Sequence, residues 1–66
     1  MEEHIKRMID EFNQLEERAS KLNLFIETND IFKTLPKEKQ DLMHLQLQGM
    51  RVYEYALNKR IALEDI

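Results

Sequence analysis

LPKEKQDLMHLQLQGMRVYEYALNKRIAL, residues Leu35–Leu63, reads as a single long helix. Pro36 suits the first helical turn, where its missing N–H is no loss, and no second proline follows. Apolar residues recur at Met43, Leu47, Met50, Leu57 and Ile61, with Leu42 and Tyr53 widening the stripe. That spacing is helical and lacks the alternation of a strand. At 1.5 Å per residue the helix runs roughly 40 Å. A rod of that length cannot bury its stripe against itself, so another element must lie along it.

That element precedes it. From about His4 to Glu27, the residues Ile5, Met8, Phe12, Leu15, Ala19, Leu22 and Ile26 alternate spacings of three and four without a break. This is a heptad seam, the pattern of helices packed side by side. Ile9 and Phe25 extend its face, and Glu3–Arg7 and Glu17–Lys21 are i, i+4 ion pairs on the polar side. Thr28-Asn29-Asp30 interrupts the pattern, because these side chains compete for backbone partners. Ile31 and Phe32 should fold the connection back onto the helices. A short helical turn at Asp30–Lys33, capped by Asn29 or Asp30, is expected there, and Thr34 is a candidate cap for the second long helix. The tail Glu64-Asp65-Ile66 is expected to fray.

The expected fold is therefore all-α: a single domain with a helix over about 4–27, a short structured elbow over about 28–35 and a helix over about 36–63. The two helices form an antiparallel hairpin. A chain of 66 residues buries only about 60% of its unfolded surface, and scaffolds this small need a staple. The chain has no cysteine, which excludes disulfides and thiolate metal sites. His4 and His44 have no partner at ligand spacing, so neither metal nor cofactor is expected. Self-association is the remaining staple.

No apolar run approaches the roughly 18 residues of a membrane span, and MEEHIKR opens on two acids, unlike a secretory signal. A soluble, cytoplasmic protein with no membrane partner is expected. The net charge of −3 argues against DNA binding, which rests on a basic face. Charge is uneven, with 8 acids and 4 bases in residues 1–30 against 3 acids and 6 bases in residues 31–63. Packing of oppositely charged helices and a local anion site both account for that asymmetry.

No catalytic pattern stands out. Ser20 has no base nearby in sequence, and His44 reads as a surface or interface residue. Phe12 falls on the seam, where packing is its default role, and Phe25 and Phe32 bracket the elbow as core. Tyr53 and Tyr55 are two residues apart and face different sides of the helix, so one of them turns its phenol to an interface or a ligand. Arg51 and Lys59-Arg60 form either a solvated face or an anion-recognition set. Gly49 inside the second helix is either tolerated or marks close approach of a backbone or ligand.

The residues Phe12-Asn13-Gln14-Leu15-Glu16-Glu17-Arg18, Lys21-Leu22, Phe25-Ile26, Phe32, Leu35-Pro36, Gln40-Asp41-Leu42, Met50, Tyr53 and Lys59-Arg60-Ile61 carry more than a helical period. Their order and spacing resemble the phage anti-CBASS sponges, very small proteins that sequester cyclic oligonucleotides. The resemblance spans about residues 8–62. It implies a helical hairpin assembled as a homohexamer, holding cyclic dinucleotides and possibly trinucleotides between protomers, without hydrolysis. It also implies an aromatic residue of the first helix stacked on a base, with a threonine and a basic residue just past that helix touching the ligand.

Phe12 fills the aromatic position, Thr28 and Asn29 follow the first helix, and Lys33 is the first lysine beyond it. With Tyr53 and Arg60 of the second helix, these are the expected ligand-binding residues. The alternative function is a helical-hairpin interaction module that oligomerises and binds a host protein.

Overall fold

The computed structural model describes residues 3–64; the expected fraying of Asp65 and Ile66 lies outside them. The described residues form three helices, α1 (Glu3–Thr28), α2 (Asp30–Thr34) and α3 (Lys37–Glu64), so the fold class is all-α. α1 and α3 pack side by side and run antiparallel: His4 meets Glu64 at one end, and Glu16 meets Arg51 midway. The molecule is a rod of 47 × 15 × 13 Å.

α1 buries the seam its spacing defines. Met8, Leu15 and Ala19 are buried, with Ile5, Phe12, Leu22 and Ile26 half-buried between them. α3 presents Met43, Leu47, Met50, Leu57 and Ile61 in return. Leu42 and Tyr53 do not widen this stripe, because both project to solvent. The seam position between Met50 and Leu57 belongs to Glu54, which is only 8% exposed. With it, the α3 seam alternates three and four from Met43 to Ile61, matching the seam of α1.

The elbow is built from local hydrogen bonds. The Asn29 side chain accepts from the Ile31 N–H at 2.8 Å and caps α2, which resolves the choice between Asn29 and Asp30. Thr34 does not cap α3. It ends α2, and its hydroxyl donates to the Ile31 carbonyl at 2.7 Å. The turn into α3 is held by Gln40, whose amide donates to the Leu35 carbonyl at 2.8 Å, while the Gln40 N–H bonds to the Pro36 carbonyl. Phe32 closes the elbow. It is buried, with Phe25 edge-on at 6.1 Å and the His44 ring edge-on at 5.6 Å. At the opposite end α3 is helical through Glu64, whose carboxylate lies 3.2 Å from the His4 ring.

Candidate functional site: an aromatic and charged pocket between the long helices

Midway along the rod, Phe12 of α1 and Arg51, Glu54, Tyr55 and Asn58 of α3 line a pocket of about 260 Å³. The α3 residues fall three, four and seven positions after Arg51, on one side of the helix. That side borders the seam, so the pocket lies at the edge of the helix pair and is open to solvent. Phe12 is half-buried, with its seam position supplying both packing and exposed ring. Tyr55 is 64% exposed, and the Lys59 ammonium stands 5.3 Å from its ring centroid, within cation–π range.

One wall is an ionic cluster. The Arg51 guanidinium donates to Glu54 at 2.8 Å and to Glu16 at 3.3 Å through the same nitrogen, Nη1. The Ser20 hydroxyl donates to the other Glu16 oxygen at 3.2 Å. Burial pushes the Glu54 carboxyl above the usual range, and its hydrogen bond with Glu16 pushes it further, against the opposing pull of Arg51. Glu16 is held below its ordinary value, first by that bond with Glu54 and then by Ser20 and Arg51, against some desolvation. The two carboxyls titrate as a pair in which Glu54 keeps the proton longer.

The pH dependence follows. A carboxyl whose folded pKa is raised contributes stability below its ordinary value, and that contribution is lost as pH rises through the raised one. Glu16 works in the opposite sense, losing its contribution as pH falls through its lowered value. Glu54→Gln stays neutral and keeps an N–H for Glu16. Its melting temperature should fall less than that of the unsubstituted protein as pH rises from the ordinary carboxylate value through the raised one. Parallel pH profiles from thermal unfolding would exclude a retained proton on Glu54.

Of the expected ligand residues, the pocket contains Phe12. Thr28 lies roughly 24 Å further along α1 at 1.5 Å per residue, with its hydroxyl bonded to the Leu24 carbonyl. Asn29 is engaged as the α2 cap, and Lys33 is exposed beside Asp30 at 3.8 Å. Tyr53 and Arg60 are exposed on α3 and do not line the pocket. One protomer therefore does not gather the six residues. Glu54 and Asn58 were missed because polar residues inside a helix read as solvated. The signal for Glu54 was the one seam slot on α3 with no apolar occupant.

The class so defined is a small all-α protein of two long antiparallel helices with an open pocket on their shared edge. The chain belongs to the Sequestin family, whose model it matches over residues 2–63. No match was found among curated proteins or among solved structures. Family membership accords with the resemblance to sequestering proteins read from the sequence. Among the described residues no helix is long and apolar enough to cross a membrane.

Proposed function

We propose that this protein is a non-enzymatic sponge. It captures cyclic di- or trinucleotide second messengers in the host cytoplasm and so blocks CBASS signalling during phage infection. The observation that carries this reading is the pocket itself, which sets two aromatic faces beside a guanidinium and a carboxamide. A nucleotide offers a base to stack, phosphate oxygens and hydrogen-bonding base edges. A stacked base is worth about 1–3 kcal/mol in single-strand systems. Arginine is the side chain best shaped to hold phosphate, and Asn58 supplies both a donor and an acceptor for a base edge.

Capture without turnover fits the lining. Among the described residues that form the pocket there is no serine, cysteine or histidine, and the carboxyls nearby are tied to each other and to Arg51. The family name also points to sequestration. The size of the pocket, about 260 Å³, falls below the roughly 300–1,000 Å³ of sites that enclose a drug-sized ligand. One protomer can thus hold a part of a cyclic dinucleotide, and a second protomer would supply the rest. A homo-oligomer follows from this reading, and the sponge resemblance makes it a hexamer.

A second reading rests on the exposed apolar side chains of α3, Leu42, Leu45 and Val52 among them. These suit an interaction module that docks on a host protein. Thermal unfolding with a panel of cyclic di- and trinucleotides separates the two. A ligand bound only to the native state, at 100 times its Kd, stabilises by about 2.7 kcal/mol. The sponge reading expects a clear rise in melting temperature with at least one member of the panel; no shift with any of them favours the interaction module.

A further inference from the structure

α3 carries a second apolar face that the hairpin leaves bare. Leu42, Leu45, Gly49, Val52 and Ala56 keep the three-and-four alternation of a helix-packing seam, and Leu63 follows seven residues later with Lys59 in the slot between; Val52 and Leu63 are 69% and 71% exposed. Gly49 stands in the middle. A Cβ placed on it would meet nothing within 4 Å, and its φ is not positive, so nothing inside the protomer requires a glycine there. Glycine weakens a helix interior and lets a second backbone come close.

The charges on this face are arranged about the same centre. Glu38 and Arg60 each lie eleven residues from Gly49, almost three full helical turns, and so share its side of α3. Among the described residues neither makes an ion pair within the protomer. If two copies of α3 cross antiparallel at Gly49, each Glu38 faces Arg60 of the partner subunit, and each Leu42 faces the small Ala56 of the partner subunit. A parallel crossing would set Glu38 against Glu38 and Arg60 against Arg60, so the charges select the antiparallel one.

We infer that this chain pairs with a second copy through the outer face of α3, crossing antiparallel at Gly49 with two Glu38–Arg60 ion pairs flanking an apolar strip. The interface is isologous, as a two-fold axis requires. Tyr55 and Lys59 lie between the strip and the pocket, so the partner subunit borders the pocket's open edge. The pairing rests on the helix face alone and holds whether or not the pocket binds a nucleotide.

Sedimentation equilibrium without ligand, on the full chain and on charge-swapped variants, tests it. The unsubstituted protein should form a dimer or an even multiple of it. Glu38→Arg and Arg60→Glu should each weaken dimerisation at least about tenfold, and the double swap should restore it to within about threefold. Both residues are exposed, and circular dichroism checks that each variant keeps its helices. A monomer or an odd-numbered assembly would overturn the inference. So would single swaps that leave association unchanged, or a double swap that fails to restore it.

Discussion

Leu57→Ala should lower the unfolding free energy by about 2–5 kcal/mol, the range for deleting a large buried aliphatic side chain. Leu57 is 1% exposed, the largest fully buried side chain of the described residues. It sits on the α3 seam one turn after Glu54, facing the seam of α1. The buried apolar set is short, comprising Met8, Leu15, Ala19, Phe32 and Leu57, so few neighbours can move to fill the cavity. For a domain whose whole stability is about 5–15 kcal/mol, that loss is a large share of the total. Leu24→Ala on the exposed side of α1 should stay within about 0.5 kcal/mol. Urea unfolding at one fixed protein concentration compares the two, since association shifts apparent stability. Equal losses for Leu57 and Leu24 would mean that α1 and α3 do not pack as described.

Phe12→Leu should separate packing from recognition. The residue is half-buried on the seam and also lines the pocket. Exchanging its ring for a smaller aliphatic group should cost the free protein only about 1 kcal/mol. Losing a stacked base should cost about 1–3 kcal/mol of binding, roughly a tenfold to hundredfold weaker affinity. Titration calorimetry with the cyclic nucleotide that stabilises the unsubstituted protein measures this. A folded, assembled Phe12→Leu variant with unchanged affinity would place the ring in the core alone and move the binding site elsewhere.

The two long helices differ in how openly their sequences announce them. α1 gathers its apolar residues on one face, so the seam from Ile5 to Ile26 could be read directly and its burial follows. α3 divides its apolar residues between an inner and an outer face. Leu42 and Tyr53 were therefore assigned to the wrong stripe, and Gly49 was left between simple tolerance and close approach of a backbone or ligand. Glu54 was illegible for a different reason. A glutamate in mid-helix reads as solvated until the facing helix supplies Glu16 and closes over it, which is a tertiary effect. Thr34 looked like a cap because it precedes Leu35-Pro36, yet its hydroxyl turns back to the Ile31 carbonyl. Of the pocket, Phe12 was legible through the family pattern, and Arg51 and Tyr55 through their chemistry. Asn58 had no signal of its own.

Sequestration makes one demand above all others: the captured molecule must leave solution and must come back unchanged. Equilibrium dialysis of a cyclic di- or trinucleotide against excess protein, followed by heating and chromatography of the released material, measures both at once. The proposed function predicts that free ligand falls in fixed proportion to protein and that heating returns all of it as the same cyclic nucleotide. Undiminished free ligand across the panel, or a linear product that grows with time, would contradict it.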